Sequence, residues 1–132
     1  MDTHQHTEEF KKRCNAVYEQ IRDAAQKVIN TLGVGFLEKV YENALAVELR
    51  KRGLKVEQQK VFRVYYEEVL VGEYVTDLFV DDCVITELKV AKVLDDIHLA
   101  ICINYLRVTK MWLCVLINFG KPSLDLKRVV LG

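Results

Sequence analysis

In the stretch VTDLFVDDCVITELKV, Val75 to Val90, the even-numbered positions Leu78, Val80, Val84, Leu88 and Val90 are apolar, whereas the charges Asp77, Glu87 and Lys89 all fall on odd numbers. Alternation with a period of two predicts β-strands with one face in the core. Because a one-residue slip sends every side chain to the opposite face, the pattern restricts how two such strands can pair. A two-residue turn at Asp81 and Asp82 would set Asp77 against Thr86 and break it. A three-residue turn, Asp81 to Cys83, pairs Val80 with Val84, places Asp77 opposite Glu87, and leaves Lys89 two residues further along the same face. Directly opposed side chains have Cβ atoms about 4.5–5.5 Å apart.

Two carboxylates at that separation repel, and the repulsion is relieved by protonation, by a basic partner or by a divalent cation. One reading is an ordinary surface ion pair between Glu87 and Lys89, worth about 0–1 kcal/mol. The intervening odd positions, Phe79 and Ile85, are more apolar than a solvated face requires. The other reading is a hard-cation site, in which carboxylate oxygens hold Mg²⁺ together with waters and a substrate phosphate, with an ammonium group alongside. Spacing alone leaves both open.

Upstream, Phe10, Cys14, Val17, Tyr18, Ile21, Ala24, Ala25, Val28, Ile29 and Leu32 recur at intervals of three and four, predicting a helix that GVG, Gly33 to Gly35, stops. A second helix is expected over roughly Phe36 to Arg52, with Leu37, Val40, Tyr41, Ala44 and Leu45 on its apolar side and Gly53 as its stop. Beyond Gly53, KVFRVYY and VLVGEYV around Glu67 and Glu68 read as a hairpin, and TDLFV and VITELKV follow. LDDIHLAICINYLRV reads as a helix capped by Asp95 or Asp96, apolar almost all round as if covered on several sides. KMWLCVLINF and LKRVVL complete the strands. The expected fold is α/β: two helices, three or four antiparallel strands, a helix and two more strands, forming a mixed sheet with helices packed on it.

A chain of 132 residues, 51% of them hydrophobic, fits one domain over 1–132, with residues 1–8 expected to be a mobile tail. Lys plus Arg and Asp plus Glu number 19 each, so the global field argues neither for nor against nucleic acid. Cys14, Cys83, Cys102 and Cys114 are scattered through apolar segments and read as free buried thiols of a reducing compartment. With no long apolar run and a polar start, the expectation is a soluble cytoplasmic protein with no membrane contact.

Asp77 followed after nine residues by Glu87-Leu88-Lys89 resembles the D…(D/E)-x-K signature of the PD-(D/E)XK nuclease superfamily. More specifically, GFLEKVYENALAVELRKRGL resembles the GxxExxY protein family at Gly35, Glu38 and Tyr41, and the similarity continues through GEYVTDLFVDDCVITELKV and IHLAICINYL to LINFG. The resemblance implies a restriction-endonuclease-like core and a nuclease cleaving phosphodiesters in nucleic acid, DNA before RNA, with Mg²⁺ or Mn²⁺. It further implies that Asp77 and Glu87 are metal-binding carboxylates, Lys89 the catalytic lysine, and Glu38 a further catalytic and metal-binding carboxylate from the helix before the sheet. Tyr41 is assigned packing or a supporting hydrogen bond. In relatives a Gln commonly precedes the tyrosine of the next helix in a Q-x-x-x-Y arrangement, and Ile101 stands there before Tyr105.

Other candidates are Asp95, Asp96 and His98 as metal ligands or, more simply, a helix cap; His4 and His6 in the tail; and Arg50, Lys51, Arg52 and Lys55 as phosphate contacts. Three function classes remain: a metal-dependent nuclease, a catalytically inactive nucleic-acid-binding module on the same fold, and a protein-assembly subunit, including a homodimer.

Overall fold

The computed structural model describes residues 6–131. Helix α1 runs Glu8–Leu32, opened by Thr7, whose side chain accepts from Phe10 N, and closed by Gly33 at φ 72°. Its buried stripe, Cys14, Val17, Ile21, Ala24, Ala25, Val28 and Ile29, follows the spacing in the sequence. Of the segment read as a tail, His6 stacks on Phe10 and bonds the Lys110 carbonyl, Thr7 is the cap and Glu8 is helical; His4 and the rest lie outside the described residues.

Helix α2 spans Glu38–Lys51 and starts two residues later than its apolar pattern suggests. Leu37 is the extended residue before it and is 79% exposed, and Val40 is also exposed, so neither belongs to the buried side. The buried stripe is Tyr41, Glu42, Leu45, Ala46 and Leu49, a phase set by the i, i+4 series from Tyr41 through Leu45 to Leu49.

The strands are β1 (Val56–Tyr66), β2 (Val69–Val80), β3 (Val84–Lys89), β4 (Leu113–Asn118) and β5 (Asp125–Val130), with α3 (Asp96–Thr109) between β3 and β4. VLVGEYV and TDLFV are one uninterrupted strand, so three strands precede α3. Spatial order follows chain order, antiparallel except for β3 and β4, which run parallel because α3 crosses over between them. The β2–β3 hairpin pairs Val80 with Val84, Phe79 with Ile85 and Leu78 with Thr86 across the three-residue turn Asp81–Cys83.

Both sheet faces are covered. Leu78, Val80, Val84 and Leu88 pack with α1 and α2, while Phe79 and Ile85 pack with Cys102 and Leu106 of α3 and with Cys114 and Leu116 of β4. Only Cys102 and Leu106 of α3 are buried, and Ile97 and Ile101 face outward, so this helix is covered on one side and not on several. The four cysteines are buried and free. Among the described residues, no helix is long and apolar enough to cross a membrane.

Candidate active site

The paired ladder of β2 and β3 ends at Leu78 and Thr86, and the next residues on each strand are Asp77 and Glu87. Side chains continue the connection there: Leu88 N–H donates to Asp77 Oδ2 at 2.8 Å, and Asp77 N–H donates to Glu87 Oε1 at 3.3 Å. The two carboxylates are thus brought together with the register that the alternation predicts.

Glu87 is only 6% exposed and lies on the sheet face that α3 covers. Burial first, and then the neighbouring Asp77, push its carboxyl up to about 9. Glu38, in the first turn of α2, is also raised, chiefly by desolvation and next by Asp77, while Lys89 pulls the other way. Tyr105 of α3 donates to the Val75 carbonyl at 2.7 Å, and burial together with Glu87 and Asp77 pushes its phenol up to about 12.

Among the described residues, no three His, Cys, Asp or Glu side chains are gathered closely enough to hold a metal ion. Glu38 therefore faces the field of Asp77 and Lys89 without completing a ligand set with Asp77 and Glu87. Two adjoining carboxylates, one of them disfavoured as an anion by burial, nevertheless fit a hard divalent cation that keeps part of its water shell.

Lys89 ends β3 and is held through its backbone. Its carbonyl accepts from Phe119 N at 2.8 Å, and Asn118, its neighbour in the parallel register, is wholly buried. Asn118 accepts from Ala91 N and Gly120 N and donates to Ala91 O, each at 2.9 Å. A Cβ on Gly120 would lie 2.3 Å from Ala91 O, so this close approach requires glycine.

Tyr41 secures the loop that leads to Glu38: its hydroxyl donates to Gly33 O at 2.6 Å and accepts from Phe36 N, and its ring stacks on Phe119. One helical turn beyond Glu38, Glu42 is 3% exposed. It accepts from Gln58 at 2.7 Å, Gln59 at 2.8 Å and Lys39 at 2.9 Å. Gln59 also donates to Asp77 Oδ1 at 3.4 Å, and its backbone sits at φ 53° within β1. A left-handed glutamine costs about 1–3 kcal/mol of backbone strain. The sequence reading missed Glu42, Gln59 and Asn118. Only Glu42 left a signal, since it falls on the same stripe as Tyr41, Leu45 and Leu49.

The remaining candidates resolve otherwise. Asp95 caps α3 in a reciprocal capping box with His98. Arg50 bonds Val56 O, Arg52 bonds Gln20 and Glu48, and Lys55 bonds Asp82 at the turn end of the β2–β3 hairpin, opposite the end that carries Lys89. An open cleft of about 320 Å³ beside Val28, Leu32, Ala44 and Val47 contains none of the site residues.

No curated protein and no solved structure gave a significant match to the chain. A family model described as PD-(D/E)XK nuclease superfamily matches residues 15–129, which include most of α1, all of α2 and α3, β1 to β4, all but the last residue of β5, and the carboxylate pair. Members of this superfamily generally use divalent metal ions. With that match spanning most of its length, the chain belongs to the PD-(D/E)XK nuclease superfamily.

Proposed function

We propose that the protein is a metal-dependent nuclease that hydrolyses phosphodiester bonds, in DNA before RNA, using Mg²⁺ or Mn²⁺. The observation that carries this is the meeting of Asp77 with the buried Glu87 at the end of the β2–β3 ladder, with Lys89 two residues further along β3. Asp77 and Glu87 are the residues that would hold the ion, and Glu38 on α2, within the field of Asp77 and Lys89, adds negative charge beside them without completing the ligand set. When bound, such an ion neutralises phosphate charge and makes water more acidic. Asp77 has Oδ2 tied to Leu88 N–H and Oδ1 within reach of the Gln59 amide, and Lys89 provides a cation for the developing charge on phosphate. Gly35, Glu38 and Tyr41 in the loop and helix before the sheet support placement within the GxxExxY group. The buried free cysteines suit a reducing, cytoplasmic compartment, and exposed Tyr65, Tyr66, Val69 and Val71 of the β1–β2 hairpin suit a homodimer contact.

Incubation of the protein with labelled single- and double-stranded DNA and RNA, with Mg²⁺, Mn²⁺ or EDTA, tests the proposal. Divalent-dependent cleavage lost in Asp77→Ala and Lys89→Ala variants that still fold is the expected result; cleavage that persists in both would overturn the assignment. Ile101 on the outer side of α3 favours a second reading, a nucleic-acid-binding module without turnover. Salt-sensitive binding without cleavage under either ion would select it.

A further inference from the structure

We infer that Gln59, anchored by the buried Glu42, is a positioning residue for Asp77; the inference rests on the nuclease reading above and deepens it. Consecutive residues of a regular strand point to opposite faces. Gln58 and Gln59 nonetheless both donate to the carboxylate of Glu42, at 2.7 and 2.8 Å. The φ of 53° at Gln59 is what allows it, by turning this residue out of the alternation. Register partners are Gln58 with Leu78 and Lys60 with Thr76, so Gln59 lies across from Asp77 at the place where the ladder is interrupted. Its amide nitrogen has two hydrogens: one meets Glu42 Oε1, and the other is directed to Asp77 Oδ1 at 3.4 Å.

The chemistry of that link suits a cation ligand. Asp77 Oδ2 is occupied by Leu88 N–H, so Oδ1 is the oxygen left to face an ion, and Gln59 sets its direction. A lysine or arginine in the same place would neutralise the carboxylate and compete with the cation. An amide orients the oxygen and leaves its charge intact. Glu42, gripped also by Lys39 and Gln58, supplies the fixed point from which Gln59 reaches. Strain kept at a residue that joins two carboxylates is consistent with such a role.

The test uses Gln59→Gly, which keeps the left-handed backbone and removes only the amide side chain. Mn²⁺ binding is measured by titration calorimetry, and cleavage is followed against Mn²⁺ concentration. The variant is expected to fold, to bind Mn²⁺ about tenfold or more weakly, and to recover most of its rate at saturating Mn²⁺. Wild-type Mn²⁺ affinity and dependence in the variant would overturn the inference and leave the nuclease reading intact. A wild-type protein that neither binds Mn²⁺ nor cleaves would remove both. Should the variant fail to fold, the wild-type protein still decides: during an Mg²⁺ titration followed by NMR, the Gln59 side-chain amide resonances should shift together with those of Asp77, and unmoved amide resonances would exclude the link.

Discussion

Glu87 accepts a hydrogen bond from the backbone N–H of Asp77 at 3.3 Å while lying only 6% exposed beside the second carboxylate. Its folded value, about 9, lies above the ordinary 4.5, so the native state binds this proton more tightly than the unfolded chain does. The stability contributed by the group is present in full below 4.5 and is lost as the pH rises through about 9. In EDTA, the Tm of Glu87→Gln should therefore gain on that of the wild type as pH is raised from about 5 to about 9. Saturating Mn²⁺ should recover the wild type's loss, because a bound cation favours the ionised carboxylate. Parallel Tm curves across the range in EDTA would show that Glu87 is not held neutral.

Asn118 bridges the chain ends that follow Lys89 and β4, with three hydrogen bonds of 2.9 Å from a wholly buried side chain. Asn118→Ala should cost about 1–3 kcal/mol by leaving Ala91 and Gly120 backbone groups without partners. Gly120→Ala should be destabilising as well, since its Cβ would meet Ala91 N at 2.6 Å and Ala91 O at 2.3 Å, both of them backbone atoms. Urea unfolding checks this: the midpoint falls at unchanged slope. A loss below about 0.5 kcal/mol in Asn118→Ala would mean that the clamp is not holding the end of β3.

Ile101 is 39% exposed on α3, at the position where the resemblance noted in the sequence implies a glutamine. Ile101→Gln should change stability by less than about 0.5 kcal/mol, since no core contact is removed. Cleavage should rise in the variant if the isoleucine limits contact with substrate. An unchanged rate with unchanged stability would show that this position takes no part in turnover.

The carboxylate pair was legible because alternation is strict: Val80 against Val84 keeps Leu78 and Leu88 on one face, which a two-residue turn at Asp81 and Asp82 would not, and it carries Asp77 and Glu87 together. The coverage of α3 was not legible. Its hydrophobicity is spread round the helix, so periodicity could not tell Cys102 and Leu106, which are buried, from Ile97 and Ile101, which are not. The start of α2 was misplaced for a related reason: Phe36 and Leu37 are apolar but precede the helix, in the loop that Tyr41 ties to Gly33 and Phe36.

By itself the sequence determined the strand register and the three-residue turn, because one-residue slips are penalised across a whole buried face. It also determined the stripe of α1 and the free state of the thiols. Only the tertiary structure decided that Glu42 is buried, that two consecutive glutamines converge on it, and that Asn118 closes the end of β3. Those features depend on a left-handed residue within a strand and on contacts between segments far apart in the chain, neither of which leaves a period in the sequence.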